Sequence, residues 1–201
     1  MKIKHIILIT LLLVLLTACG STEAENTYTP PALDTEVTYF ADIDIADFGI
    51  VTIKLEQESA PITCANFVKL ANEGFYDGLT FHRIIPDSIM QGGDPEGNGT
   101  GGSGNPIIGE FKKNGHDNAL KHTRGAIAMA RSKDKNSASS QFYICRNDCD
   151  SLDGKYAVFG YVTEGIEVVD KVCDTIEPAN TTGVVLPEDK PVINSVKIRT
   201  K

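Results

Sequence analysis

The sequence lacks tryptophan, has only four histidines among its 201 residues, and has fewer basic residues (19) than acidic ones (27). The resulting net charge of −8 argues against nucleic acid as the main partner, because phosphate binding requires a basic face. The histidines form no i, i+4 pair and no His-x-Glu motif, and no serine lies in a Gly-x-Ser-x-Gly motif. The glycine-rich stretch Gly97–Gly104 lacks the Gly-Lys-Ser/Thr ending of a phosphate-binding loop. The usual hydrolytic and metal-dependent machinery is therefore missing, and we expect no cofactor and no metal.

Long apolar runs are also missing, and the single apolar stretch near the N-terminus covers only residues 6–16. A membrane-spanning helix needs ~20 such residues, whereas two preceding lysines and a short apolar run are typical of a secretory signal. The following Leu16-Thr17-Ala18-Cys19 resembles a bacterial lipobox. We therefore expect a signal peptide over residues 1–18 that is removed, and acyl chains such as palmitate on Cys19. The alternative is an ordinary secreted protein in which Cys19 falls near the cleavage point by chance.

The segment after Cys19 is polar, contains Pro30-Pro31 and has no periodicity. It predicts a lipidated cysteine and flexible tether over residues 19–35, followed by one domain over residues 36–201. Loss of the leader removes two lysines and no acid, which changes the net charge from −8 to −10. This charge disfavours adhesion to anionic lipid, so attachment should depend on the acyl chains. Together with the leader, this predicts an extracytoplasmic protein that is lipid-anchored to the cell membrane.

Four cysteines remain in the predicted domain: Cys64, Cys145, Cys149 and Cys173. Buried apolar thiols are the first interpretation, and a disulfide is the alternative because the expected compartment permits one. The Cys145-x3-Cys149 spacing is disfavoured as a metal site because no second pair of ligands lies nearby in the sequence.

Apolar alternation and turn residues predict about eight strands, at 36–40, 48–55, 79–85, 89–92, 126–130, 141–145, 158–162 and 192–199. One helix follows Ser59 as a possible cap and Pro61 in the first turn and ends at Gly74, and a second covers about 166–174. On strand 79–85, alternation predicts that Phe81, Arg83 and Ile85 share one face. This content favours a mainly β protein, a closed β-barrel whose ends the two helices cover.

Several motifs occur in one order along the chain. They are Ala60–Phe67, Phe81-His82-Arg83-Ile84-Ile85-Pro86, Gln91-Gly92-Gly93-Asp94, Gly99–Gly102, Leu120–Gly125, Met129–Ser132, Ser137–Ile144 and Leu152–Gly160. Together they resemble the signature of cyclophilin-type peptidyl-prolyl isomerases and cover about residues 37–200. The resemblance implies a closed eight-stranded antiparallel barrel capped by two α-helices, which agrees with the independent count of elements.

The resemblance also implies a reaction that needs no nucleophile, metal or proton transfer. An X–Pro bond isomerises slowly because amide resonance sets a barrier near ~20 kcal/mol. A fixed donor near the prolyl nitrogen or carbonyl favours the twisted bond over the planar one, and such differential binding accelerates rotation. The implied partners are proline-containing exported polypeptides, whose folding the protein would assist as a monomer.

Site residues follow from the same resemblance, position by position. Arg83 is the implied catalytic donor, and Gln91 positions either the substrate backbone or Arg83 itself. The implied groove for the extended peptide contains Ala130, Arg131 and Gln141. The implied proline pocket includes Ile89, Tyr143 and Leu152, with His82 and Tyr156 flanking it. The phenylalanines at positions 81, 142 and 159 are expected in the core.

The sequence departs from the family pattern at several places. Ser88-Ile89 stands where Phe-Met is usual, and Tyr143 where Phe is common. Ser151 and Tyr156 replace a Trp and a His of eukaryotic members, which predicts poor cyclosporin binding. Loss of one buried aromatic would forfeit roughly 1.5–3 kcal/mol of apolar contact. Ser88 thus supports the alternative function, a non-catalytic proline-peptide-binding module or holdase chaperone on the same scaffold.

Overall fold

The structure is a computed structural model that describes residues 27–201, which form eight β-strands and two α-helices. The strands are β1 (Tyr39–Ile45), β2 (Gly49–Leu55), β3 (Thr80–Ile85), β4 (Ile89–Asp94), β5 (Ala126–Met129), β6 (Phe142–Cys145), β7 (Val158–Glu164) and β8 (Ile193–Thr200). The helices are α1 (Pro61–Asn72) and α2 (Ile166–Thr175), and short 3-10 turns occur at Lys112–Asn114, Asp150–Leu152 and Pro187–Asp189. The lipobox, Cys19 and the first part of the predicted tether lie outside the described residues.

The eight strands form one antiparallel sheet in the order β3-β4-β6-β5-β7-β2-β1-β8. The expected closed barrel is wrong, because β3 and β8 stay at opposite edges and the sheet is an open half-barrel. Only isolated contacts join the edges, among them Phe81 N–H donating to Pro191 O at 2.9 Å. Proline has no N–H to return that bond, so a regular ladder cannot continue there. Mainly antiparallel β structure with two helices is confirmed.

The first strand starts later than alternation at residues 36–40 predicted. Ala41, Ile43 and Ile45 of β1 are buried, while Asp42 and Asp44 between them are partly exposed. Asp42 accepts a hydrogen bond from Thr52 Oγ1 of β2 at 2.7 Å and pairs with Arg199 of β8 at 2.8 Å. Cross-strand pairing therefore accommodates a carboxylate that would otherwise weaken the strand.

The inner face of the half-barrel carries the main core. Phe67 of α1 packs against Tyr76, Phe142 and Phe159, with ring centroids 5.0 to 5.6 Å apart. All four side chains are fully buried, as is Phe81. The predicted core positions of Phe81, Phe142 and Phe159 are therefore confirmed. Helix α1 packs on β8 and α2 on β2, so the helices cover this apolar face.

The start of α1 is stabilised from a distant part of the chain. Ser59 does not cap the helix; its N-cap is Ala60, whose side chain cannot accept a hydrogen bond. Instead the two carboxylate oxygens of buried Glu110 accept hydrogen bonds from Ile62 N–H at 3.0 Å and Thr63 N–H at 2.7 Å. A carboxylate at this end also complements the helix dipole.

A β-bulge in β3 overturns part of the predicted side-chain alternation, because Arg83 and Ile85 share the outer face and Phe81 does not. Phe81 pairs with Gly92 and Arg83 with Gln91, so the register shifts across His82. Phe81 and Ile84 consequently face the inner core, whereas Arg83 reaches the outer face. Phe81 and Arg83 would share a face in a regular strand, and the extra residue places them on opposite faces.

The N-terminal residues and the cysteines complete the fold. Within the described part of the predicted tether, Tyr28 and Leu33 pack against the core, and Tyr28 N–H donates to Pro106 O at 2.6 Å. The four cysteines of the domain are buried and unpaired, as the first interpretation predicted. Among residues 27–201 no helix is long and apolar enough to cross a membrane.

Candidate active site

The outer face of the sheet carries a second, smaller apolar cluster and a cavity of about 490 Å³. Strands β3 to β6 and the loops beside them supply its walls. Nine of the ten residues predicted for the site line it: His82, Arg83, Ile89, Gln91, Ala130, Arg131, Tyr143, Leu152 and Tyr156. The tenth, Gln141, lines an adjoining cavity of about 200 Å³ together with Gln91, Ala130 and Arg131. The structure thus brings the predicted residues together.

Arg83 is held from two sides. Its Nε–H donates to Thr182 O at 2.8 Å, and its Nη1–H donates to Gln91 Oε1 at 3.2 Å. A guanidinium carries five N–H groups, so donors remain after both bonds are made. The charged group is therefore fixed at the cavity wall with donors available to a bound molecule.

The bond to Arg83 is the end of a row of side-chain amides. Gln91 Nε2–H donates to Gln141 Oε1 at 2.9 Å, and Gln141 Nε2–H donates to Gly101 O at 2.8 Å. Each amide uses its N–H on one side and its oxygen on the other, which fixes the orientation of both groups. Gln91 therefore presents its oxygen to Arg83.

His82, the bulged residue, is buried beside the cavity. Neither of its ring nitrogens has a hydrogen-bond partner among the described residues. Burial lowers the pKa of His82, and the charges of Lys190 and Arg83 lower it further against the opposing effect of Asp94. A neutral imidazole has one donor and one acceptor nitrogen, and both nitrogens of His82 are buried in this structure.

Ile89, Tyr143 and Leu152 form the apolar end of the cavity. Ile89 and Tyr143 are buried in the outer cluster, which also contains the small side chains of Ala126 and Ala128. The small side chains on β5 leave space on the outer face of the sheet, and the larger side chains of Ile89, Tyr143 and Leu152 enclose that space. The result is a shallow apolar pocket within reach of Arg83, of the kind that takes a small ring.

A buried hydrogen-bonded row fixes Tyr143 from behind. Tyr143 OH lies 3.0 Å from His122 Nε2, and His122 Nδ1 lies 3.0 Å from Asp153 Oδ1. Burial lowers the pKa of His122, although its hydrogen bond to the Asp153 carboxylate opposes that shift. Burial alone would raise the pKa of Asp153, but hydrogen bonds from His122 and Lys121 outweigh it and hold that pKa at about 2. Asp153 therefore keeps the Nδ1 proton in place, and His122 Nε2 accepts from Tyr143.

Arg131 supports Tyr156 on the facing wall. Its guanidinium lies between two rings, 4.6 Å from the centroid of Tyr156 and 4.9 Å from that of Phe111. Nε–H and Nη2–H both donate to Lys155 O, at 3.1 and 2.7 Å. Arg131 thus lines the cavity with its charged group already engaged.

Eight other residues that line the cavity were not predicted from the sequence. They are Gly97, Asn98, Gly99, Val184, Val185, Leu186, Pro187 and Lys190. Asp94 organises the first group, since its carboxylate accepts hydrogen bonds from Glu96, Asn98 and Gly99 N–H. Burial opposes ionisation of Asp94, but these bonds outweigh it and lower its pKa. A Gly-Asn-Gly sequence after an aspartate was the available signal for that loop, and the second segment has no periodicity to detect.

Ser88 contacts Cys149 rather than the cavity. Ser88 Oγ lies 3.2 Å from Cys149 Sγ, and Ser88 is absent from the lining residues. The substitution that motivated the non-catalytic alternative therefore does not open the pocket wall formed by Ile89, Tyr143 and Leu152. Within residues 27–201, no group of three or more His, Cys, Asp or Glu side chains could hold a metal ion.

Comparisons with known proteins agree with this geometry. Residues 40–200 match the family described as cyclophilin type peptidyl-prolyl cis-trans isomerase/CLD. Peptidyl-prolyl cis-trans isomerase B of Bacillus subtilis is 48% identical over 123 residues, 61% of this chain and 82% of that protein. Peptidyl-prolyl cis-trans isomerase CYP18-2 of Arabidopsis thaliana is 37% identical over 153 residues, 76% of this chain and 87% of its own length.

A solved structure is similar over the same region. A cyclophilin type peptidyl-prolyl cis-trans isomerase of Cryptosporidium parvum, crystallised in the presence of the dipeptide Ala-Pro, superposes with a TM-score of 0.70 and 29% identity. The match covers 81% of this chain and 99% of that one.

Proposed function

Because this chain belongs to the cyclophilin-type peptidyl-prolyl cis-trans isomerase family and is an isomerase of that type, we propose that Arg83 is its catalytic donor. The position of Arg83 between Thr182 O and Gln91 Oε1 is the observation that carries this proposal. Its remaining N–H groups face a cavity whose other end is apolar. A proline ring and the amide next to it need those two environments side by side.

The mechanism uses fixed charge instead of proton transfer. Rotation about the X–Pro bond breaks amide resonance and leaves the lone pair on the prolyl nitrogen. Arg83 then hydrogen-bonds near that nitrogen or to the prolyl carbonyl, and does so more strongly in the twisted state than in either planar isomer. Because Gln91 and Thr182 hold the guanidinium before substrate arrives, little reorganisation accompanies the rotation.

The remaining site residues bind the peptide. Ile89, Tyr143 and Leu152 accept the proline ring, and His82 and Tyr156 flank it. Ala130, Arg131 and Gln141 line the groove for the extended backbone. The related Cryptosporidium protein, crystallised in the presence of Ala-Pro, supports a proline peptide as the ligand.

A peptide isomerisation assay tests the role of Arg83. Arg83→Ala should lower kcat/KM on an Ala-Pro peptide by about a hundredfold, the effect of removing one fixed donor in other enzymes. Arg199→Ala, which removes an arginine on the edge strand β8, is the matched control and should retain wild-type activity. Full activity in Arg83→Ala would overturn the assignment.

We further propose that the mature protein assists folding of exported proteins from the outer side of the cell membrane, held there by acyl chains on Cys19. The support is the Leu16-Thr17-Ala18-Cys19 sequence after a short apolar run. The acidic net charge adds to it, because such a protein does not adhere to anionic lipid without an anchor. Proline isomerisation is slow enough to limit folding of an exported chain.

Cell fractionation with labelled palmitate tests the anchor. The wild-type protein should carry label and sediment with membranes. Cys19→Ser should lose the label and appear in the soluble fraction or keep its leader, while Cys64→Ser, which alters a buried thiol, should remain labelled. A wild-type protein without label would contradict the lipid anchor and leave the isomerase activity untouched.

A further inference from the structure

The segment from Thr182 to Pro187 runs along the outer edge of β3, beside Arg83. Ile84 N–H donates to Gly183 O at 2.7 Å, and Val185 N–H donates to His82 O at 3.1 Å. Arg83 and Val184 form an isolated antiparallel bridge. This segment therefore continues the sheet for two residues and places Val184 opposite the proposed catalytic donor.

The segment is held in place by its own hydrogen bonds. Asn180 Oδ1 accepts from Thr182 N–H at 3.0 Å, Thr182 Oγ1 at 2.7 Å and Val184 N–H at 3.2 Å. Gly183 has φ of +89°, and a Cβ there would lie 2.6 Å from Ile84 O. Only glycine permits both that conformation and that approach. The side chains after it are consequently presented in one fixed orientation.

Alternation along the segment separates one core residue from two exposed ones. Val185 is 1% exposed and packs in the core, while Val184 and Leu186 are 45% and 44% exposed. Both exposed side chains line the same cavity as Arg83. One exposed aliphatic residue is ordinary, but two that line one cavity give its wall apolar surface beside the proposed peptide groove.

We propose that Val184 and Leu186 form an additional subsite, which takes a nonpolar side chain of the substrate residue flanking the X–Pro pair on the Arg83 side. The proposal rests on the isomerase function. We expect a substrate side chain as the occupant, because this surface and the proline pocket line one cavity. Arg83 and Lys190 lie at the same wall, so a basic flanking residue is disfavoured by charge. The subsite therefore ranks a flanking leucine above alanine and alanine above lysine.

Isomerisation of a peptide set, followed by NMR exchange, tests this ranking. Each peptide keeps an Ala-Pro core, and each position within two residues of it is in turn Ala, Leu or Lys. With the wild-type protein, leucine at one of these positions should raise kcat/KM about fivefold over alanine, the effect of burying part of one aliphatic side chain. In the double variant V184T/L186N the leucine-to-alanine ratio should fall to about one.

Two further variants make the result specific. Leu186→Asn alone changes a half-exposed side chain, and it should lower the ratio partway. Ile50→Ser removes an aliphatic residue on β2 that is 53% exposed and lies outside the cavity, and it should preserve the wild-type ratio. A ratio that is the same in the wild type and in V184T/L186N would overturn the subsite. Absence of isomerisation of the all-alanine peptide by the wild type would instead overturn the isomerase function itself, and with it the subsite.

Discussion

The same sheet carries different kinds of side chain on the two faces of the half-barrel. The inner face is packed with large rings, Phe67, Phe81, Phe142 and Phe159 among them, and all are fully buried. The outer face has small alanines on β5, a polar row and a cavity. Strand β3 serves both faces because of the bulge at His82. We therefore expect the inner face to account for most of the stability, and the outer face to carry the proposed chemistry.

The largest expected effect is a loss of stability from a substitution that perturbs only the inner face. Phe67→Ala removes a ring that contacts three other aromatic residues, so the free energy of unfolding should fall by about 3–5 kcal/mol. Chemical denaturation measures it. Activity per folded molecule should stay near wild type at low temperature. A loss below about 1 kcal/mol would show that the two faces share the stability more evenly.

The next largest effect is a loss of activity from a substitution that perturbs only the outer face. Gln91→Leu removes the acceptor of Arg83 and interrupts the row to Gln141, so kcat/KM should fall roughly tenfold with little change in unfolding free energy. Peptide isomerisation and denaturation of the same variant provide both numbers. Gln57→Leu, a change at the N-terminal side of the domain, is the control and should retain activity. A stability loss that matches the activity loss would contradict the separation.

A smaller effect is expected in the buried polar network of the outer face, which joins Tyr143, His122 and Asp153. Tyr143→Phe keeps the ring in the pocket but leaves His122 Nε2 without its partner, which should cost about 1 kcal/mol of stability. We also expect a modest rise in KM with kcat unchanged, because the ring loses its fixed orientation. Wild-type KM and stability in this variant would show that the hydroxyl has no positioning role.

The smallest effect is on acid stability. The folded-state pKa values of His82 and His122 are lowered by burial, so the unfolded chain takes up protons first as pH falls below about 6.5. Their contribution is fully present above that pH and declines below it. Asp153, with its pKa at about 2, adds a further loss as pH falls from about 4 towards 2. Melting temperatures measured from about pH 8 down to about pH 2 should therefore decline on the acid side, and between about pH 6.5 and 5 the decline should be less steep in His122→Gln.

Sequence patterning predicted the inner face well and the outer face only in part. Alternation identified most strands, since burial on one side imposes a period of two, although β1 was placed too early, and its Asp42 is paired across strands. It also put Arg83 on the face of Phe81, because a bulge has no signature in hydrophobicity. The motif resemblance, and not periodicity, identified the residues that line the cavity.

Contacts between distant parts of the chain were beyond sequence reasoning. Glu110 replaces a local cap on α1 from 47 residues away, measured to Thr63. Asp153 reaches His122 across 31 residues, and Thr182 reaches Arg83 across 99. None of these pairs has a fixed spacing that would reveal it. The closed barrel was wrong for a similar reason, since within the described residues only isolated contacts between distant segments join the edges of the sheet.

The segment that runs along β3 has a consequence for aggregation. An unpaired edge strand is a template onto which an unfolded chain can add, and such chains are the substrates that we propose for this protein. Gly183 and Val185 occupy the backbone groups that β3 would otherwise present at residues 82 and 84. A polypeptide in the proposed groove therefore finds the His82 C=O and the Ile84 N–H of β3 already paired, which favours release over co-aggregation.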